Sequence, residues 1–273
     1  MSELVKRILF AVPAGVGFIA ITWLGHFYLA GLLLVLLLVG QYEIHQLASR
    51  ARMPTNYIFL YLFGVWVFSI FWNPSLIWAG LLLIGLLVGV EIFLVDNKKV
   101  HRLPSTLFWG IYGPLGFGAF LWIRSLGSDR EGFALALSFL LMVWLNDILA
   151  YLGGKYFGSN PLAADISPNK TWEGFLFGIA GAIVGLFLTI WVIGGQYPLS
   201  LTVAVPMAIL SGFTGPLGDL TQSRLKRVAQ VKDSSNIFPG HGGVWDRFDA
   251  MVLTTIVLTG YIGLLRELAL VTI

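Results

Sequence analysis

Nine stretches of about twenty apolar residues, each almost free of charge, decide what this chain can fold into. They lie at roughly 8–24, 27–46, 57–72, 75–94, 105–123, 132–152, 172–195, 199–217 and 249–271. An α-helix rising 1.5 Å per residue needs about 20 residues to cross the ~30 Å hydrocarbon core of a bilayer. No water reaches that core, so every backbone polar group has to be paired within the segment, which a helix achieves. The sequence therefore predicts an all-α polytopic membrane protein with about nine transmembrane helices. Composition excludes the alternatives: 57% of the residues are hydrophobic and 11% charged, against about 45–50% and 25% in soluble domains. Twenty Phe, ten Trp and nine Tyr rule out a solvated coil. With no Cys, disulfides and thiolate metal sites are excluded.

The start of the chain, with Lys6 and Arg7 before the first run, has the charge pattern of a removable signal peptide. Pro13 within the run, the lack of a clear small-residue cleavage site and the stronger run that follows favour a retained transmembrane helix. Orientation follows from the basic residues, which accumulate on the cytoplasmic side. If the N-terminus is cytoplasmic, that side holds Lys6, Arg7, Arg50, Arg52, Lys98, Lys99, Arg102, Lys155, Lys170, Arg224, Lys226, Arg227, Lys232 and Arg247, which is 14 of 17. Arg124, Arg130 and Arg266 remain outside. The expectation is N-terminus in, C-terminus out. Eleven of the 14 acids share the inner side. Orientation does not explain them, because acids contribute little to it; they suggest a polar site at the cytoplasmic interface.

Residues 1–124 read as a transmembrane scaffold of about five helices, and 125–273 as a catalytic region of about four, with cytoplasmic loops at 153–171 and 218–248. Asp147 lies within an apolar run, where a carboxylate is costly. Either Asn146 and a protonated Asp147 make packing hydrogen bonds, or Asp147 lines a polar cavity. Gly153, Gly154 and Gly158 surround Lys155 and are read as ending the helix, leaving room for a close backbone approach. In Ser167-Pro168-Asn169-Lys170-Thr171-Trp172-Glu173-Gly174, Ser167 or Thr171 can cap the next helix and Pro168 suits its first turn. A helix start with Lys170 one turn in suits a phosphate, or is an ordinary cap with a snorkelling lysine.

The densest stretch is 215–249. Asp219, Ser223 and Lys226/Arg227 fall at i, i+4 and i+7/i+8, which is one helical face, and Asp246 and Asp249 are three apart on another. Carboxylates gathered at the membrane surface repel one another unless a cation sits among them, and oxygen-only donors select hard cations such as Mg2+. The neighbouring Arg and Lys groups suit a polyphosphate, and the turn Pro239-Gly240-His241-Gly242-Gly243 brings backbone N–H groups close to it. His241 is either a turn residue or a phosphate contact.

These residues carry a resemblance. The run Ser223-x-x-Lys226-Arg227-x4-Lys232-Asp233-x5-Pro239-x-His241-Gly242-Gly243-x-x-Asp246-Arg247-x-Asp249 spans 27 residues and resembles the signature of the phosphatidate cytidylyltransferases, or CDP-diacylglycerol synthases. Asp147…Ala150-Tyr151…Gly154-Lys155…Gly158 and Ser167-Pro168-x-Lys170-Thr171-x-Glu173-Gly174 resemble the same family in the expected order. The likeness is strong over about 144–249; before that it rests on hydropathy. Gln222 departs from the pattern, since the family usually has an acid before the signature serine.

The resemblance implies transfer of CMP from CTP to phosphatidic acid, giving CDP-diacylglycerol and pyrophosphate, by a protein of the bacterial inner membrane whose site faces the cytoplasm. The expected partners are CTP, phosphatidic acid and the lipid bilayer, with no nucleic acid and with a homodimer plausible. Mg2+ is assigned to Asp219 and Asp246, supported by Asp249, with Asp147 near a possible second cation. Lys226, Arg227, Lys232 and Arg247 are the expected phosphate clamps, and His241 joins the catalytic set. Lys155, Ser167, Lys170, Thr171, Ser223, Asp233, Gly242 and Gly243 complete the substrate site, with Lys170 holding the lipid phosphate. Two rivals are a CTP-dependent polyprenol or lipid kinase and a transporter. The complete His-Gly-Gly-x-x-Asp-Arg-x-Asp run favours nucleotidyl transfer, and the clustering of polar residues at one face disfavours transport.

Overall fold

The structure is a computed structural model that describes residues 3–93, 102–238 and 242–273. Each apolar run forms an α-helix: α1 Glu3–Leu24, α2 His26–Arg50, α3 Tyr57–Ile70, α4 Ile77–Phe93, α5 Arg102–Arg124, α6 Asp129–Phe157, α7 Trp172–Val192, α8 Leu201–Val228 and α9 Trp245–Glu267. Among the described residues, seven helices are long and apolar enough to cross a membrane, and Ala11–Leu24 and Tyr57–Ile70 are shorter apolar helices. A small antiparallel hairpin, β1 Pro161–Ala163 and β2 Ser167–Thr171, links α6 to α7. The chain is an all-α polytopic membrane protein with this hairpin as its sheet.

Helix ends differ from the sequence expectation in ways that matter for the site. α6 continues through Gly153, Gly154 and Lys155 to Phe157, so those glycines do not end it. α8 runs on to Val228, so Asp219, Ser223, Lys226 and Arg227 stand on one continuous helix rather than in a loop. Ser167 and Pro168 lie in β2 rather than at a helix start, and Thr171 alone caps α7, accepting from the Gly174 N–H at 3.1 Å. Lys170 therefore precedes the helix instead of lying one turn into it.

The α6 glycines act in packing, together with a row on α7. Gly174, Gly178, Gly181 and Gly185 recur at helical spacing, and a Cβ on each would run into α6: into the carbonyl oxygens of Ala150, Leu145 and Leu141, or the amide of Asn146. Without a hydrophobic drive between helices in lipid, such close backbone approach is what holds them. Gly153 in turn leaves room for the Phe177 ring.

Pro216 sets a second local feature. It has no N–H, so the carbonyl four residues earlier, that of Gly212, loses its helical donor. Asn146 Nδ2 donates to that carbonyl at 3.1 Å. The two alternatives raised for this pair thus fall to different residues: Asn146 is buried and ties α6 to α8, while its neighbour Asp147 faces the cavity.

At one end of the bundle the buried Arg124 guanidinium clamps two helix turns, donating to the Thr22 carbonyl at 2.7 Å, the Trp23 carbonyl at 3.2 Å and the Asp129 carboxylate at 2.8 Å. At the other end, the C-terminal parts of α2, α6 and α8 meet the N-terminal ends of α7 and α9.

Candidate functional site

An open cavity of about 730 Å3 occupies that second end. α6 contributes Asp147, Tyr151 and Lys155, three positions four residues apart on one face. The hairpin and the start of α7 bring Asn169, Lys170, Thr171 and Phe175. α8 supplies Asp219 and Lys226, the following loop Asp233, and the first turn of α9 Asp246, Arg247 and Asp249. Asp147, Lys155, Lys170, Thr171, Asp219, Lys226, Asp233, Asp246, Arg247 and Asp249 are thus brought to one wall-to-wall space from sequence positions about 100 residues apart.

Ser167, Ser223, Arg227, Lys232, Gly242 and Gly243 stand behind or beside the lining. The Ser223 hydroxyl donates to Asp219 Oδ1 at 3.2 Å, which fixes that carboxylate. Arg227 Nε donates to the Ile166 carbonyl at 3.2 Å and ties the end of α8 to the hairpin. Ser167 opens β2, and Lys232 is exposed on the loop. Gly242 has φ +78°, a left-handed conformation that favours glycine, and its carbonyl accepts from the Phe238 N–H at 2.9 Å. His241 lies outside the described residues, as do Lys98 and Lys99.

Two ion pairs cross the cavity. Lys170 Nζ pairs with Asp219 Oδ2 and reaches toward the Pro216 carbonyl at 3.5 Å. Lys226 Nζ pairs with Asp246 Oδ1 at 2.6 Å, with both side chains largely withdrawn from solvent. The other oxygen of Asp246 accepts from the Ser234 N–H at 2.7 Å, the Ser234 hydroxyl at 2.9 Å and the Gly243 N–H at 2.9 Å. Asp246 is therefore the hub of the loop that follows α8. Asp219 is close enough for its charge to act on both Asp147 and Asp249. On the α6 side, Lys155 Nζ lies 5.9 Å and 5.5 Å from the ring centres of Tyr151 and Tyr156, a cation–π arrangement on each.

Among the described residues no three His, Cys, Asp or Glu side chains form a ready-made metal cluster. The donor chemistry nevertheless suits a hard cation: Asp219, Asp249 and Asp147 present only oxygen, share one cavity and interact electrostatically. Asp246 is the weaker member, because Oδ2 is filled by three donors and only Oδ1, now on Lys226, is left to turn to a cation. Gln222 is buried on α8, and among the described residues both of its amide atoms are without a hydrogen-bond partner.

One site feature escaped the sequence reading. Glu43, on α2 in the N-terminal part, is buried at 1% exposure, accepts from the Ser235 hydroxyl and the Val244 and Trp245 N–H groups, and lies 3.1 Å from the Ser234 hydroxyl. The available signal was an acid at the polar end of an apolar run, beside Gln41, His45 and Gln46, and so weaker than the one that singled out Asp147.

The chain is similar to known proteins. The model of the cytidylyltransferase family matches residues 5–265. A phosphatidate cytidylyltransferase of Brucella abortus is 34% identical over 265 residues, covering 94% of this chain and 93% of the relative. One from Bacillus subtilis is 41% identical over 142 residues, 52% of this chain and 51% of the relative. One from Synechocystis is 42% identical over 123 residues, 45% and 41% of the respective lengths. With the Bacillus and Synechocystis proteins the match thus spans about half the relative or less.

Proposed function

Because the chain belongs to the cytidylyltransferase family, we propose that it transfers CMP from CTP to phosphatidic acid, releasing pyrophosphate and forming CDP-diacylglycerol. The observation that carries this reading is the shared cavity, in which Lys155, Lys170, Lys226 and Arg247 stand among Asp147, Asp219, Asp246 and Asp249 at the end of a helical bundle. The attacking atom is an oxygen of the lipid phosphate, already anionic at neutral pH, so the reaction needs no strong base. It needs two polyanions held together and the leaving pyrophosphate stabilised.

The residues present supply this. Lys170, Lys155 and Lys226 are ammonium groups on three sides of the cavity. Arg247 adds a planar donor set suited to phosphate. Lys226 is held in place by Asp246, which the loop holds in turn. Lys170 and Lys155, on the hairpin and α6, are the side assigned to the lipid phosphate, while Lys226 and Arg247, on α8 and α9, take the nucleotide. A bound Mg2+ would be held by Asp219 and Asp249, with Asp147 and Asp246 as further oxygen donors in the same cavity. Its chemistry would be to neutralise phosphate charge and polarise the bond to the leaving group. The acyl chains stay in the bilayer.

The topology completes the proposal. With all nine helices crossing and 14 of 17 basic residues on the site's side, the N-terminus and the cavity face the cytoplasm of a bacterial inner membrane and the C-terminus lies outside. CTP then arrives from water and the lipid from the membrane.

Purified protein given phosphatidic acid, Mg2+ and CTP labelled at the α- or γ-phosphate tests the reading. Label from the α-phosphate on lipid is expected. Label from the γ-phosphate would identify a lipid kinase, and no labelled lipid would overturn both enzymatic readings. Asp219→Asn should abolish turnover in folded protein; near-normal activity across a Mg2+ titration would refute the cation assignment.

A further inference from the structure

We propose that Glu43, buried in the N-terminal part of the chain and outside the cavity lining, is the positioning residue that sets Ser234, Ser235 and the first turn of α9 for the reaction. The inference rests on the cytidylyltransferase reading above. Each Glu43 oxygen has one serine hydroxyl and one backbone N–H beside it. Oε1 accepts from the Ser235 hydroxyl at 2.6 Å and the Val244 N–H at 2.9 Å. Oε2 accepts from the Trp245 N–H at 3.0 Å and lies 3.1 Å from the Ser234 hydroxyl, whose single hydrogen is shared between Glu43 and Asp246.

Those two N–H groups belong to the beginning of α9, where the N-cap residue Val244 offers no side-chain cap. A helix start leaves its first N–H groups without partners and carries partial positive charge, so a carboxylate beneath it is well placed. Here the carboxylate comes from about 200 residues away along the chain. One turn earlier on α2, the Gly40 carbonyl accepts from Trp245 Nε1 at 2.7 Å, and the Trp245 ring stacks on Tyr112 of α5 with centroids 6.2 Å apart. α2 is thus a receptor for the start of α9.

The connection to chemistry runs through Ser234 and Gly243. The Ser234 hydroxyl touches Glu43 on one side and Asp246 on the other, and Asp246 holds Lys226. Gly243 gives its N–H to Asp246, and a Cβ there would run into Glu43 Oε1 and the Ser234 hydroxyl. The glycine of the signature is therefore required by the carboxylate packed beneath it. A chain of direct contacts leads from Glu43 through Ser234 to Asp246 and Lys226, which line the cavity.

Glu43→Gln is nearly isosteric but exchanges one acceptor oxygen for an amide donor, which then opposes a backbone N–H. Losing one buried hydrogen bond to a charged group should speed amide exchange across 234–245 by roughly 10- to 100-fold. Exchange in α6 and α7 should not change. The efficiency kcat/KM for CTP should fall by roughly 10- to 100-fold, with KM for phosphatidic acid unchanged, because the hairpin and Lys155 are not touched. Glu43→Asp keeps the charge and should recover part of the loss; it also serves if the glutamine variant does not fold.

Wild-type protein that forms no CDP-diacylglycerol refutes the functional reading itself, while the exchange measurement still reports on the loop. Unchanged exchange in either variant overturns the positioning role. A loosened loop with normal efficiency for CTP overturns its link to the reaction, as does an equal rise in KM for both substrates.

Discussion

Removing Lys226 is the sharpest test of how the cavity is held. Its ammonium sits 2.6 Å from Asp246 Oδ1, with side-chain exposures of 13% and 5%. At such a distance and an effective dielectric constant near 20, the attraction is gross several kcal/mol, offset by the cost of taking both charges out of water. Stripping one partner from a buried pair typically costs about 3–5 kcal/mol. Asp246 does not become an orphan, however, because three donors remain on Oδ2. The expected loss is therefore lower, about 2–3 kcal/mol. That loss is read in thermal unfolding; separately, removing a charge-assisted contact to phosphate worth about 1.5–3 kcal/mol should cost Lys226→Met roughly 10- to 150-fold in kcat/KM for CTP. The assay is CDP-diacylglycerol formation by detergent-solubilised protein, with thermal unfolding followed alongside. Combining Lys226→Met with Asp246→Asn should cost much less than the sum of the two single losses, since both break the same contact. Activity of Lys226→Met within a factor of about two of wild type, or strictly additive effects in the double variant, would refute the argument.

Three further outcomes follow from the fold. Gly174→Val forces a branched side chain against the Ala150 carbonyl and Gly154 of α6; overpacking by about 1–3 kcal/mol should lower the unfolding midpoint by about 3–10 °C in a chain of this size, and an unchanged midpoint would contradict the close helix approach. Arg124→Leu strips the donors from the Thr22 and Trp23 carbonyls and from Asp129 at the end away from the cavity; it should reduce thermal stability and leave KM for CTP as it was, so a raised KM with normal stability would contradict its structural role. The chain has no cysteine, so Asn236→Cys, exposed on the loop after α8, and Gln196→Cys, exposed between α7 and α8, can report sidedness. An impermeant thiol reagent should reach Asn236→Cys only from the cytoplasm and Gln196→Cys only from outside; the reverse pattern would overturn the orientation.

The sequence by itself determined the class of fold, because membrane-spanning helices announce themselves through length and apolarity, which are local properties. All nine runs are helices at the places expected. It also determined which residues gather around the cavity from the region 144–249, since acids and bases in an apolar background are costly and stand out, as Asp147, Lys170, Asp219, Lys226 and Asp246 do. The helix ends were less legible: Gly153 and Gly154 read as a stop, yet α6 continues because α7 packs its own glycines against that turn. Only the tertiary structure decided that the carbonyl freed by Pro216 is met by Asn146, so that one residue of an adjacent polar pair is structural and the other faces the cavity. Only it decided that Glu43 lies beneath the signature loop. A hydrogen bond between residues 200 positions apart leaves no periodicity and no motif in the chain. What it leaves is one carboxylate in an apolar helix, and which backbone N–H groups that carboxylate meets is fixed by how α2, α5 and α9 pack.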